Sequence, residues 1–164
     1  KHFSTNHDDF NINMSWEDVK SKPTTQLLIQ LLDKYENLGK RMTVEIVESE
    51  SIENFESFNN FLSKLRQYGV KIALDDFGSG YSNFVYLDKI KANYVKIDGT
   101  LIKDMMINDN TLQIVKSIIT IAHKFQIETV AEFVSDEKIF KKVKSLGIDY
   151  SQGYYIGKPR PVDW

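Results

Sequence analysis

Short apolar runs in this chain repeatedly carry, at or near their ends, a side chain that could hold a metal or a phosphate. Asn13 closes Phe10-Asn11-Ile12-Asn13, Glu45 sits in Thr43-Val44-Glu45-Ile46, and Asp75-Asp76 close Lys71-Ile72-Ala73-Leu74-Asp75-Asp76. Lys96 and Asp98 end Tyr94-Val95-Lys96-Ile97-Asp98, Glu132 ends Thr129-Val130-Ala131-Glu132, and Gln152 stands just before Gly153-Tyr154-Tyr155-Ile156. Adjacent carboxylates repel, so Asp75-Asp76 need a cation or a raised pKa. An all-oxygen donor set suits a hard divalent ion such as magnesium or manganese. Two N-cap acids before a helix are the other reading of the same pair. Lys96 within a strand pattern is costly to bury unpaired. Beside carboxylates it can orient or deprotonate a water, or simply form a salt bridge at a strand end. Glu132 reads equally as a loop acid, Asn13 and Gln152 as structural amides or neutral ligands, and Asp98 as a binder of backbone amides or of substrate.

These residues are useful together only if the fold brings strand ends to one place. Helix-like stretches separate nearly all of the runs, and strands alternating with helices form a parallel sheet. In a barrel of such units the ligand and catalytic groups gather at the carboxyl ends of the strands. Alternation supports this: Tyr94, Lys96 and Asp98 share one strand face, as do Val130 with Glu132 and Ala73 with Asp75. Glu45 and Glu48 point to opposite faces, so Glu48 is expected to anchor a loop. Asn13, Glu45, Asp75, Lys96, Glu132 and Gln152 are therefore expected at one rim.

The spacing predicts strands at Phe10–Met14, Met42–Val47, Val70–Leu74, Tyr94–Ile97 and Ile127–Ala131, with a sixth at Gly153–Ile156. Helices are predicted from Pro23 to about Asn37, along Ile52, Phe55, Phe58, Leu62 and Leu65, and from about Ser82 to Lys89. Two more are predicted from about Asn110 to Phe125 and from a Ser135 cap to Leu146, stopped by Gly147.

The 164 residues read as one domain, with 41% hydrophobic and 27% charged residues, as expected of a globular chain. A net charge of −2 implies no general surface for a nucleic acid polymer. With no cysteine, disulfides, thiolate zinc sites and cysteine nucleophiles are excluded. No apolar run approaches the ~18 residues of a membrane span. Asp76-Phe77-Gly78 mimics a kinase triplet without its partner motifs, and Gly78-Ser79-Gly80 lacks the third glycine of a dinucleotide fingerprint. The opening Lys1-His2-Phe3 reads as an excerpt of a longer protein.

In order and content these runs resemble the EAL domain family of cyclic di-GMP phosphodiesterases. Leu74-Asp75-Asp76-Phe77-Gly78-Ser79-Gly80-Tyr81-Ser82 is similar to the family's Asp-Asp-Phe-Gly-Thr-Gly-Tyr-Ser signature, and Val95-Lys96-Ile97-Asp98 to its Lys-Ile-Asp motif. Glu45-Ile46-Val47-Glu48-Ser49 resembles Glu-Ile-Thr-Glu-Ser, and Asn13-Met14-Ser15 resembles Asn-Leu-Ser. Val130-Ala131-Glu132, Gln152-Gly153-Tyr154 and Lys158-Pro159 complete a set running from about Asn11 to Pro161. The resemblance implies an α/β fold, a (β/α)8 TIM-type barrel. Here it would be incomplete, with about six strands and without the first two strands and the Glu-Ala-Leu motif. Residues 1–164 would then be a partial EAL phosphodiesterase domain. It further implies metal ligation of Mg2+ or Mn2+, as two ions, by Asn13, Glu45, Asp75, Asp76 and Glu132. Lys96 would hold the attacking water, and Glu132 would support the metals or act as base. Gln152 would lie in the water network with Asp98 near substrate, and Glu48 would brace the loop after Asp76.

The activity implied is hydrolysis of one phosphodiester bond of cyclic di-GMP to the linear dinucleotide, in bacterial second-messenger signalling. The partners implied are cyclic di-GMP and a second copy in a homodimer, with cytoplasmic placement. Phe133 stands where the family has glycine, and Ser135 where it has an acid. These departures support an alternative, a catalytically inactive EAL domain that binds cyclic di-GMP or another protein. A segment lacking two barrel strands is expected to expose sheet edges, to associate, and to hydrolyse poorly alone.

Overall fold

A computed structural model describes residues 8–47, 55–80 and 84–160. Six strands hydrogen-bond side by side in sequence order, β1 (Phe10–Asn13), β2 (Met42–Val47), β3 (Lys71–Phe77), β4 (Tyr94–Ile97), β5 (Glu128–Ala131) and β6 (Tyr150–Ser151). The β1–β2, β4–β5 and β5–β6 registers are parallel. Parallel neighbours require a crossover, which the intervening helices supply. The chain divides into two compact units, residues 1–73 and 74–164.

In the first unit, α1 (Trp16–Lys20) begins with a reciprocal capping box. The Ser15 hydroxyl accepts from the Asp18 amide at 3.1 Å, while Asp18 accepts from the Ser15 amide at 2.9 Å. Ser21 caps α2 (Lys22–Lys34), with Pro23 in its first turn, where the missing N–H costs nothing. In α3 (Phe55–Gln67), Phe58, Leu62 and Leu65 recur at helical spacing and are fully buried. Burying each contributes roughly 1.5–3 kcal/mol. The α1 helix was not foreseen in the sequence, because five residues carry too little periodicity.

In the second unit, α4 (Phe84–Ile90) leads into β4, and α5 (Gly99–Asp104) follows it. Then come α6 (Asp109–Lys124), β5, α7 (Glu137–Ser145) and β6. Val115, Ile118, Ile119 and Ala122 form the buried stripe of α6, and Leu74, Phe77, Leu87, Ile97 and Ile102 are buried in the same unit. The α7 cap is Asp136, whose carboxylate accepts from the Lys138 and Ile139 amides; the expected cap, Ser135, lies one residue too early. The sixth strand is Tyr150–Ser151, and the expected Gly153–Ile156 is a turn, with the Ile156 amide donating to Gly153 O at 3.0 Å. Close approach explains the difference: a β-carbon on Gly153 would collide with the Val134 backbone, so the chain must fold back there.

Candidate functional site

The second unit builds a stair of strand ends. The residue after each strand donates its amide to the last carbonyl of the strand before: Asp98 to Phe77 (3.1 Å), Glu132 to Ile97 (3.2 Å) and Gln152 to Ala131 (2.8 Å). The parallel registers fix these steps, and with them the side chains that follow each strand.

Lys96 is buried, with 5% of its surface exposed. Its ammonium is paired on two sides, 2.7 Å from Asp75 Oδ1 and 2.9 Å from Glu132 Oε1. Carboxylates in such geometry replace hydration that a buried ammonium loses. Asp75, Asp76 and Glu132 each offer a carboxylate oxygen lying within 4.8 Å of the others. Regular strand alternation would send Asp75 and Asp76 to opposite faces. Asp76 escapes this with a left-handed backbone, φ 54°, which breaks the alternation and turns its carboxylate toward its neighbour's. Aspartate is among the few residues that visit this region readily.

Burial first, then repulsion from Asp75 and Asp98, raises the Asp76 carboxyl above its ordinary value, with Lys96 opposing. Burial likewise raises Glu132, against its hydrogen bond and attraction to Lys96. Among the described residues, Glu132 Oε2 is buried without a hydrogen-bond partner. A buried carboxylate oxygen without a donor is expensive, and three converging carboxylates share one lysine. A hard divalent cation fits this donor set, giving the orphaned oxygen a partner and removing the repulsion.

These shifts fix a sign. A raised folded pKa means the folded chain holds the proton more tightly, so the contribution of Asp76 and Glu132 to metal-free stability is lost as pH rises above the ordinary carboxylate range, 3.8 and 4.5. Asp18, Asp136 and Asp149 are lowered and contribute oppositely: Asp18 and Asp136 mainly through backbone amides, Asp149 because bonds from Thr129 and His123 outweigh burial. A cation competes with the protons on Asp76 and Glu132. The rise in Tm on adding Mn2+ to chelator-treated protein is therefore expected to grow as pH increases above that range, and to shrink in Glu132→Gln. A pH-independent metal shift, or one unchanged in Glu132→Gln, would contradict it.

Asp98 caps α5: its Oδ1 accepts from the Thr100 amide at 2.8 Å and from the Thr100 hydroxyl. This amide-binding role takes up one carboxylate oxygen and explains the unforeseen α5 helix. Gln152 is exposed, and its side chain has no hydrogen bond among the described residues. In the first unit, Asn13 registers with Glu45 across β1 and β2, and Asn13 is exposed while Glu45 is buried. Asn11 Nδ2 donates to Glu45 Oε1 at 2.6 Å. The period of two places Asn11 on the same strand face as Asn13. Glu48 lies outside the described residues.

A family model for the EAL domain matches residues 1–159. The chain is 39% identical over 153 residues to cyclic di-GMP phosphodiesterase PdeA of Borreliella burgdorferi, covering 93% of this chain and 23% of that protein. It is also 39% identical over 153 residues to cyclic di-GMP phosphodiesterase PdeF of Escherichia coli (strain K12), covering 93% of this chain and 20% of that protein. It thus spans about a fifth of the length of these relatives. Among solved structures, it resembles the PaMucR phosphodiesterase in its c-di-GMP complex, with TM-score 0.84 and 26% identity over 94% of this chain and 62% of that one. It also resembles Klebsiella pneumoniae BlrP1 in a manganese/cy-diGMP complex, with TM-score 0.81 and 28% identity over 93% of this chain and 39% of that one. The α/β architecture is that of the TIM-barrel fold these domains share. The ordered motifs, the strand-end stair and the converging acids thus have one common explanation: the chain belongs to the EAL domain family.

Proposed function

We propose that the chain is the catalytic portion of a metal-dependent phosphodiesterase that opens cyclic di-GMP to the linear dinucleotide. The observation that carries this reading is the cluster of Asp75, Asp76 and Glu132 with Lys96 held between two of them. The names of the relatives supply the substrate.

Asp75, Asp76 and Glu132 are the residues that would hold Mg2+ or Mn2+, and the family resemblance alone adds Asn13 and Glu45 and a second ion. A divalent cation supplies positive charge to the phosphate oxygens and acidifies water. Lys96 fixes the Asp75 and Glu132 carboxylates in one arrangement and sets its ammonium where charge develops during in-line attack. Fixed charge of this kind costs no reorganisation during the reaction. Glu132, with its raised pKa and a second oxygen that has no partner among the described residues, is suited to take a proton from the attacking water. Gln152, at the next strand end, would orient that water or the substrate.

Incubation of the full-length protein with cyclic di-GMP and Mg2+ or Mn2+ tests the reading by chromatography of the products. Accumulation of the linear dinucleotide, stopped by chelator, is expected. Tight binding with no product would favour the regulatory-module alternative, which the Phe133 and Ser135 departures support. Neither binding nor product would remove cyclic di-GMP from the account altogether.

A further inference from the structure

Phe133 follows Glu132 and lies 72% exposed, yet its backbone is strained, at φ 52°. A left-handed conformation is costly for an ordinary side chain and nearly free for glycine. An exposed phenylalanine in such a position gains little from burial to offset that cost. Its ring, however, has a close neighbour. The ring lies against Gly99, the first residue of α5, where a β-carbon would collide with it. The surrounding backbone is fixed. Val134 donates to Gln152 O and accepts from the Tyr155 amide, both at 3.0 Å. Gly153 packs against Val134, and Phe140 and Tyr155 are in ring contact, 5.5 Å between centroids.

A cavity of about 360 Å3 opens here, lined by Glu132, Phe133, Gln152, Gly153, Tyr154 and Pro159 among others. That volume falls in the usual range of small-molecule sites, about 300–1,000 Å3. Glu132 belongs both to this cavity and to the acid cluster. In a nucleotide the base lies one ribose away from the phosphate. A phosphate bound at the acids therefore brings a base to the wall beside Glu132. That wall carries an exposed aromatic ring packed on Gly99, a side-chain amide able to both donate and accept (Gln152), and a second exposed aromatic (Tyr154) with the Lys158 ammonium 5.9 Å from its ring.

We propose that Phe133, seated on Gly99, is the stacking platform for one guanine of the cyclic dinucleotide, with Gln152 at the edge of that base. This rests on the phosphodiesterase reading above and makes Phe133 a determinant of substrate affinity. A preorganised ring loses little conformational freedom on binding, which is where such a platform gains its effect.

The test is calorimetric binding of cyclic di-GMP to the full chain in calcium, with thermal unfolding measured alongside. Base–aromatic stacking is worth about tenfold or more in affinity. F133G is therefore expected to weaken binding by about tenfold or more without lowering Tm, because glycine relieves the left-handed strain. F133Y is expected to restore binding to within about threefold, since it keeps the aromatic face. G99A keeps the ring and removes its seat. It should weaken binding comparably, and the double variant should be no worse than F133G alone, the signature of two residues acting as one unit. F133G binding within about twofold of the parent, or F133L matching F133Y, would overturn the platform while leaving the phosphodiesterase reading standing. Failure of the parent to bind cyclic di-GMP in any divalent metal would overturn both.

Discussion

Asp75→Asn and Asp76→Asn are each expected to lower metal-dependent hydrolysis by about a hundredfold or more, with the fold intact. Each change keeps the shape of the side chain and removes one negative donor from a cluster of three. Their effects on the metal-free protein should differ. Asp75 is a direct partner of the buried Lys96, so its loss removes one of the carboxylates that pair with that ammonium. Asp76 holds a raised pKa because burial and the charges of Asp75 and Asp98 oppose its ionisation. Replacing it with asparagine relieves that repulsion at neutral pH. Metal-free Asp76→Asn is therefore expected to unfold at a higher temperature than the parent, by roughly 2–4 °C for each kcal/mol relieved in a chain of this size. It should also lose most of the stabilisation that metal gives the parent. Kinetic assays with scanning calorimetry in chelator and in Mn2+ check both halves. Parental turnover in Asp75→Asn, or a lower metal-free Tm in Asp76→Asn, would show that these carboxylates do another job.

Lys96→Met is expected to reduce kcat at saturating metal by about a hundredfold or more while leaving cyclic di-GMP affinity near the parental value. A charge aimed at the developing negative charge of the transition state contributes more there than to the bound ground state. Removing it also strips the buried Glu132 and the half-buried Asp75 of a shared counter-ion. Breaking a buried pair in this way typically costs about 3–5 kcal/mol. The metal-free variant should thus be markedly less stable, and added cation should recover much of the loss. Steady-state kinetics with a separate binding measurement distinguish the cases. A large fall in affinity with kcat unchanged would make Lys96 a substrate-binding residue instead.

Much of this site was legible because its residues sit where strand periodicity meets a polar side chain. Met42–Val47 and Tyr94–Ile97 matched their strands residue for residue, since alternation and β-branched content agree there. The pairing of Lys96 with acids followed from the cost of burying a lone ammonium. What was not legible depended on backbone geometry that no pattern encodes. Nothing in Asp75-Asp76 announces the positive φ at Asp76 that turns both carboxylates toward one point. The true sixth strand, Tyr150–Ser151, is two residues long and has no period to read, whereas Gly153–Ile156 looks like a strand until the backbone of Val134 is found pressed against Gly153. Asp98 reads in the sequence as a binder of backbone amides or of substrate, and the six-residue α5, too short to show a period, decides for the amides. Asn11 was hidden by its neighbour Asn13, which matched a known motif while Asn11 made the 2.6 Å bond to Glu45.

The central claim is that the carboxylates of Asp75, Asp76 and Glu132 converge to hold a divalent cation. Anomalous diffraction from crystals of the protein soaked in Mn2+ tests it most directly. The expected result is a manganese peak coordinated by oxygens of all three residues, at roughly 2.0–2.2 Å as hard-cation ligation requires. Full Mn2+ occupancy elsewhere in the crystal, with no peak at these carboxylates, would contradict it.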